Sequence, residues 1–570
     1  MSKILLINPN IRIVDREKDH YSVMEHLGLG LLSAVLSKDG HELSILDCYA
    51  YNFDNDAAIA GILAFRPDFL GLTANYLNFE DAVAIAERAV RTFPDLYVFV
   101  GGEHCTYSAE EILTRHPAIH AVVRGEGEES VRELIAKAPR PHNVKGVYFR
   151  DPDTGKVVRN PERPGISDLD LLPLADRPTL DYCKQNNIMT ALGVIAQRGC
   201  NFRCRFCNAN TFLRMGGGLP IRRRTPESVA HELEHLYNTY FEHGNIEKVY
   251  FYDANFVDGS TRSKEWAKAL AREIVARDIV MPFEVYMRGD SLKARDDDVV
   301  EALKQAGLEA VFIGIESFNA NDLDFYGKDI TPARMSETLD LLKKHRVLGP
   351  TQGVIMFNPY STDEGLIETA KFLRKYGYAS FWNLSQKLQL FPGVALIDDL
   401  ASQKLLRGYD SANKVYSYTF SDPCIESLSD YLLGLNQNPV IVRDNALPRH
   451  VTTEVFRILN GIESSGMYTE HVDDIIRDLR RQLDDNNQLN VSFFNNMVRM
   501  HRRGDSRHSI EERTSSYLKE LSACLDVLDA SYGVTLRALH SYVADDEKRG
   551  VVAAVAAPYS VFEHGARAHA

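Results

Sequence analysis

Strand-length apolar runs alternate with helix-length amphipathic stretches twice along this chain, and that alternation restricts the fold more than any other feature. In the first 140 residues the apolar runs are Ile4–Asn8, Leu43–Leu46, Phe69–Thr73, Tyr97–Val100 and Ala121–Val123. Helical stretches around Leu27–Ser37, Ala57–Phe65, Phe79–Thr92, Ser108–Arg115 and Glu128–Lys137 lie between and after them. A strand that returns through a helix lies parallel to its predecessor, so this pattern predicts an α/β domain with a doubly wound parallel sheet. Residues 138–190 break the rhythm with Pro139, Pro141, Pro152, Pro161, Pro164, Pro173 and Pro178, which reads as a linker. The alternation then resumes to residue 393, with strands expected at Leu192–Ala196, Lys248–Tyr252, Phe283–Tyr286, Ala310–Gly314, Gly353–Phe357 and Trp382–Leu390.

The expected domains are therefore residues 1–140, a linker over 141–189, a second α/β region over 190–400 and a C-terminal region over 401–570. The first is of flavodoxin-like (Rossmann-type) order and the second a partial (β/α)6 barrel of TIM type. The last reads as α-helical, with amphipathic spacing at Ser427–Gly434, Glu454–Ser464, Glu470–Asp484, Val491–His501 and Ile510–Ala530, and a frayed end over Gly565–Ala570. It carries no motif; it could wall a substrate pocket, pack as its own domain or form a dimer surface.

Both α/β architectures bind ligands at the carboxyl ends of their strands, and polar or glycine-rich residues fall there. Gly101-Gly102 follows the fourth strand and Gly125-Glu126-Gly127-Glu128 the fifth. In the second region the strand ends carry Asp253-Ala254-Asn255, Arg288-Gly289-Asp290, Gly314-Ile315-Glu316-Ser317, Asn358-Pro359 and Phe391-Pro392-Gly393. The first strand there ends in Cys200-Asn201-Phe202-Arg203-Cys204-Arg205-Phe206-Cys207. Three thiolates this close can close on one metal centre. A tetrahedral zinc would want a fourth protein ligand, whereas an iron–sulfur cube can leave one iron open.

Composition narrows the class. With net charge −14 and no basic stripe interleaved with aromatics, nucleic acid is not an expected partner. No apolar run reaches membrane-spanning length, and Met1-Ser2-Lys3 runs straight into Ile4-Leu5-Leu6-Ile7, which reads as a first strand. Cys48, Cys105, Cys183, Cys424 and Cys524 are scattered singles, expected to be free thiols, and a cytoplasmic setting is expected.

The C-x3-C-x2-C loop, with Phe206 just before its last cysteine, resembles the signature of the radical S-adenosylmethionine (SAM) superfamily. Ile4-Leu5-Leu6-Ile7-Asn8-Pro9, Leu27-Gly28-Leu29-Gly30-Leu31-Leu32, Pro67-Asp68-Phe69-Leu70-Gly71-Leu72-Thr73 and Gly101-Gly102-Glu103-His104 resemble the cobalamin-binding domain of its B12-dependent members, and Asp168–Pro178 their interdomain connector. The resemblance implies a [4Fe-4S] cluster on Cys200, Cys204 and Cys207, and SAM contacts from Phe206, Asp253, Arg288, Glu316 and Ser317. It implies cobalamin contacts from Asn8, Thr73, Asn75, Tyr76, Gly101, Gly102 and Glu103, with Gly125, Glu126 and Gly127 at the rim. The family's D-x-H-x-x-G motif is missing after the first strand; Asp39-Gly40-His41 reads as a turn and His104 as a loop histidine. Base-off cobalamin without a histidine ligand is therefore expected, its lower face covered by Tyr76 or Leu77. The implied activity is methylation of an unactivated carbon or a phosphinate phosphorus of a small-molecule or natural-product substrate, by methylcobalamin and a 5′-deoxyadenosyl radical. An external flavodoxin- or ferredoxin-type protein would supply the electron. The alternatives are a rearrangement, cyclisation or ring contraction with the same cofactors, or a cobalamin- or redox-sensing regulator.

Overall fold

The computed structural model describes residues 1–11, 23–241, 246–347, 349, 352–410 and 414–547; the expected frayed end at Gly565–Ala570 lies outside them. The chain divides into two compact units. The first comprises Met1–Phe312, Asp324–Ile330 and Gln389–Tyr418, and the second Ile313–Leu323, Thr331–Leu388 and Thr419–Ala570.

The first unit opens with strands β1 (Lys3–Asn8), β2 (Val23–Met24), β3 (Glu42–Asp47), β4 (Phe69–Thr73), β5 (Tyr97–Gly101), β6 (Ala121–Val123), β7 (Val147–Arg150) and β8 (Val157–Arg159). All but β2 form one sheet in the order β3-β1-β4-β5-β6-β7-β8. Its first five strands are parallel, so the chain reverses direction of growth between β1 and β4. That reversal opens a crevice at the carboxyl ends. Alternate residues of β1 feed opposite faces: Leu5 and Ile7 pack in one apolar cluster, Ile4 and Leu6 in the other. The helix Phe79–Thr92 covers one face with Phe79, Ala82, Val83, Ile85, Ala86 and Ala89 buried, the spacing of an amphipathic helix. Beyond residue 140 the sheet continues into antiparallel β7 and β8, with Val123 opposite Val147.

The second sheet begins in the same unit with β9 (Thr190–Val194); the chain then forms a separate small antiparallel pair, β10 (Gln197–Gly199) and β11 (Ile221–Arg223), before the sheet resumes with β12 (Ile246–Phe251) and β13 (Phe283–Arg288). Strands β9, β12 and β13 are parallel neighbours, as a partial barrel requires. The edge is supplied from outside the expected barrel segment: β2 pairs with β9, Val23 opposite Thr190. A strand of two residues carries too little pattern to be read from sequence. The next strand, β14 (Leu308–Glu316), starts in the first unit and ends in the second, where it pairs in parallel with β15 (Gln352–Val354). An antiparallel pair of β16 (Leu406–Asp410) and β17 (Val415–Tyr418), also unanticipated, belongs to the first unit.

The expected sixth barrel strand, Trp382–Leu390, is not one. Phe381–Ser385 is a short helix, and a single isolated parallel bridge joins Lys387 of this segment to Phe357, which lies beyond the end of β15. The Ser380 side chain caps that helix by accepting from the Asn383 N–H, and the Phe381 N–H donates to Asp444 at 2.9 Å. These local bonds outcompete the ladder that the apolar run suggested.

The second unit's described residues after β17 are mainly helical, with long helices at Pro423–Gly434, Pro439–Ser464, Glu470–Arg503 and Arg507–Glu547. The expected helices Glu470–Asp484 and Val491–His501 are one, closed by Gly504 in the left-handed conformation. Among the described residues, no helix is long and apolar enough to cross a membrane.

A cavity at the strand ends and the adjoining cysteine loop

A cavity of about 530 Å³ lies within the first unit, at the carboxyl ends of the strands of both its sheets. Leu6 of β1, Gly71, Leu72 and Thr73 of β4, Phe99 and Gly101 of β5 and Val123 of β6 line it from the first sheet, with Gly102 and Gly125 to Glu128 from the loops that follow. The helix Leu27–Ser37 contributes Gly28, Leu29, Leu31 and Leu32, with His26 just before it. Ile195, Gln197 to Gly199, Ala209, Phe212, Leu213, Tyr252 to Ala254 and Tyr286 line it from the second α/β region. Two ligand-binding ends therefore share one apolar chamber with a few polar groups, the usual make-up of a cofactor site.

The lining is shaped by missing side chains. A Cβ on Gly71 would stand 2.5 Å from Phe99 Cζ and 2.8 Å from Leu6 Cδ2, so a larger residue there would force these two cavity side chains to shift. Gly102 has φ +106°, and a Cβ there would meet the Ala74 carbonyl at 2.7 Å.

Asp253 is the most unusual polar group in the lining. It is 1 % exposed, and its Oδ1 accepts the N–H groups of Ala196 and Gln197, both at 2.9 Å. Its Oδ2 is buried without a partner, as is Asn255 Nδ2 nearby in sequence. Burial pushes the Asp253 carboxyl up to about 7, against the two backbone donors. A buried carboxylate oxygen lining a cavity and lacking a donor suits a cationic or donor group of a ligand.

Glu126, also in the lining, sits among arginines. Arg222 holds it bidentately, Nη2 to Oε1 at 2.6 Å and Nη1 to Oε2 at 2.9 Å, and Arg198 approaches at 3.3 Å. Arg198 also donates to Glu128 at 2.5 Å. Burial opposes the Glu126 charge, yet these guanidinium groups hold its carboxyl below the usual range.

The cysteine loop leaves β10 within this unit. Cys200, Cys204 and Cys207 are all half-buried, and none is in a disulfide. Arg214 Nη2 donates to the Cys200 carbonyl at 2.8 Å, and the Arg205 N–H to the Tyr326 carbonyl at 2.8 Å, which pins the loop at two points. Arg288 Nη1 lies 3.2 Å from Cys204 Sγ, and its guanidinium carbon lies 3.6 Å from the Phe202 ring centroid. Burial raises the Cys200 thiol, while Arg288 and Arg214 pull it the other way. The described residues hold no group of three His, Cys, Asp or Glu side chains placed for a metal ion. The fit to an iron–sulfur cluster rests on donor chemistry: three soft thiols on one short loop with a cation against one of them.

Of the residues expected to bind cobalamin, Thr73, Gly101, Gly102, Gly125, Glu126 and Gly127 line the cavity. Asn8 is instead bound within the sheet end, donating to Asp47 at 2.8 Å and accepting from Asn78 at 3.4 Å. Asn75 caps its own turn, accepting from the Leu77 N–H at 2.8 Å. Tyr76 lies against Phe391, ring centroids 4.9 Å apart, and Glu103 is exposed in a helix's first turn. Tyr76 and Leu77 are 40 % and 38 % exposed and neither lines the cavity. His104 packs edge-on against Phe79, and burial lowers it to about 4. For SAM, Asp253 lines the cavity and Arg288 reaches the cysteine loop. Phe206 packs edge-on against Tyr326 at 5.5 Å. Glu316 and Ser317 belong to the second unit, where Glu316 has φ +62° and Ser317 donates to Asp322 at 2.7 Å. His26, Arg198, Tyr252 and Tyr286 are cavity residues that sequence reasoning passed over. His26 stands where a helix cap is expected, directly before the Leu27 run, which is the one signal that was available.

Residues 19–135 match the B12 binding domain and residues 194–373 the radical SAM superfamily. The chain is 29% identical over 384 residues to an uncharacterized methyltransferase of Pyrococcus horikoshii, covering 67% of this chain and 79% of that protein. It is 27% identical over 356 residues to the anaerobic magnesium-protoporphyrin IX monomethyl ester cyclase of Rubrivivax gelatinosus, covering 60% and 61%. Its fold superposes on the cobalamin-dependent SAM radical enzyme OxsB, solved with aqua-cobalamin and SAM, with a TM-score of 0.66, at 17% identity over 92% of this chain and 84% of that one. The chain thus carries a B12 binding domain followed by a radical SAM domain, with the cysteine loop near the start of the second.

Proposed function

We propose that this enzyme is a cobalamin-dependent methyltransferase that methylates an unactivated carbon, or a phosphinate phosphorus, of a small-molecule or natural-product substrate. The observation that carries the reading is the single chamber lined at once by the strand ends of the B12-type sheet and by those of the barrel, reaching Gly199 beside the cysteine loop. The methyltransferase name of the Pyrococcus horikoshii relative points the same way.

In this reading residues 1–140 hold cobalamin, 190–400 hold cluster and SAM, and an external flavodoxin- or ferredoxin-type protein delivers the electron. When bound, these groups supply one-electron cleavage of SAM to a 5′-deoxyadenosyl radical and a methyl group for transfer. The chain's own residues do the placing. Cys200, Cys204 and Cys207 hold the iron, and Arg288 sets a positive charge beside Cys204. The partnerless Asp253 Oδ2 takes the SAM ammonium. Thr73, Gly101 and Gly102 border the cobalamin tail, Gly125 to Gly127 form the rim, and the apolar lining excludes water from the radical.

The test is anaerobic reconstitution with iron, sulfide and cobalamin, then SAM and dithionite, with mass analysis of the products. The expected products are 5′-deoxyadenosine together with S-adenosylhomocysteine, both lost in Cys204→Ala. Deoxyadenosine without S-adenosylhomocysteine, from a protein that holds B12, would favour the second reading: a non-methylating cyclisation or rearrangement, for which the cyclase name of the Rubrivivax gelatinosus relative speaks.

A further inference from the structure

His26 borders the cavity at the N-terminus of the helix Leu27–Ser37, and both of its ring nitrogens are engaged. Nδ1 accepts the Leu29 N–H at 3.3 Å and so caps the helix. A backbone amide can only donate, so Nδ1 carries no proton, and a neutral ring then carries its proton on Nε2; the tautomer is assigned from this network. Burial keeps the ring neutral by holding it below the usual histidine range. Nε2 lies 3.1 Å from Thr73 Oγ1, so the ring donates and the hydroxyl accepts. Thr73 is 9 % exposed at the end of β4 and lines the same cavity. Among the described residues its Oγ1 has no second polar partner, which leaves its own hydrogen for an acceptor in the chamber.

We propose that His26 is a positioning residue that fixes the Thr73 hydroxyl as a hydrogen-bond donor to the nucleotide tail of cobalamin, and that His26 is not itself a cobalt ligand. Binding cobalt through Nε2 would require the proton on Nδ1, facing the Leu29 N–H donor to donor. The inference rests on the cobalamin reading above, and two corrinoids separate the two. Hydroxocobalamin carries the nucleotide tail; dicyanocobinamide has the same ring without it.

Affinities of the full chain for each are read by anaerobic absorbance titration. His26→Leu and Thr73→Val are each expected to weaken cobalamin by about tenfold, the worth of one well-placed hydrogen bond, and to leave cobinamide unchanged. His26→Gln, whose amide can both accept from Leu29 and donate to Thr73, and Thr73→Ser are expected to keep the parental affinity. Thermal unfolding of the unloaded variants separates a lost helix cap from a lost ligand contact. Equal weakening of both corrinoids overturns the role on the tail while the cobalamin reading stands. A parent that binds neither corrinoid overturns that reading and this inference with it. In the electron paramagnetic resonance spectrum of the cob(II)alamin-loaded parent, a nitrogen superhyperfine splitting that disappears in His26→Gln would make His26 a cobalt ligand and overturn the assignment.

Discussion

Asp253 combines two demands that oppose each other. Its Oδ1 is needed as an acceptor for the Ala196 and Gln197 N–H groups at the turn that leads to the cysteine loop, while its Oδ2 is desolvated without a donor. The folded carboxyl titrates at about 7, the unfolded one near 4. A raised folded value means that the native state binds a proton the unfolded state has released. The stabilising contribution is thus whole below pH ~4, is lost as the pH rises to about 7, and does not change further above it. Asp253→Asn keeps the acceptor and removes the titration. Against the parent, the unloaded variant should gain stability progressively over this window, read as a rising Tm difference, with a plateau on the order of 4 kcal/mol. Parallel melting profiles for the two proteins across pH 4 to 8 would show that Oδ2 finds a donor without ligand. SAM added at pH 8 should narrow the gap, because its ammonium pairs the parent's carboxylate alone.

At the level of elements, sequence pattern was a good guide wherever a strand or helix owes its identity to a continuous apolar face. β1, β4, β5 and β6 begin and end within a residue or so of the expected runs, because buried parallel strands are apolar on both faces. The cysteine loop, Gly101-Gly102 and Gly125 to Gly127 of the site were legible for a similar reason: thiols and turn glycines mark strand ends whatever surrounds them. Side chains whose role is set by distant partners were not. Trp382–Leu390 looks like a strand until Asp444, from the helix Pro439–Ser464, takes the Phe381 N–H. Arg198 and His26 became visible only once β10 and the helix Leu27–Ser37 were placed around the cavity. Asp444 also yields a prediction. It is 1 % exposed and accepts from Phe381 N–H, Asn486 Nδ2 at 2.9 Å and Asn490 Nδ2 at 3.1 Å, tying three helices together. Asp444→Ala strands three buried donors and should cost about 3 kcal/mol, seen as a clear loss of Tm. Asp444→Asn retains one acceptor oxygen and should lose less; equal losses would mean that volume, not hydrogen bonding, holds these helices.

Across the whole molecule, the proposed function depends on two sheets of the first unit keeping their strand ends on one chamber, and Glu126 is where loops from both are fastened. It belongs to the loop after β6, yet its carboxylate is held by Arg222 of β11 and Arg198 of β10, and it accepts the Ile166 N–H of the linker at 2.8 Å. Arg222 and Glu126 have side chains only 2% and 8% exposed, so neither charge is left to water when its partner goes. Glu126→Ala should therefore destabilise the protein by roughly 3–5 kcal/mol, far beyond a surface pair. Only Gly199 separates Arg198 from Cys200. Loss of its anchor should thus also loosen the cysteine loop, and reconstituted iron per chain should fall in Glu126→Ala at temperatures where the protein is still folded. Arg222→Met with Glu126→Leu is the decisive companion, since it removes both charges of the bidentate pair and keeps most of their volume. If that double variant regains thermal stability but not iron content, Glu126 serves to aim β10 and its loop; if it regains both, the network contributes only neutralised charge.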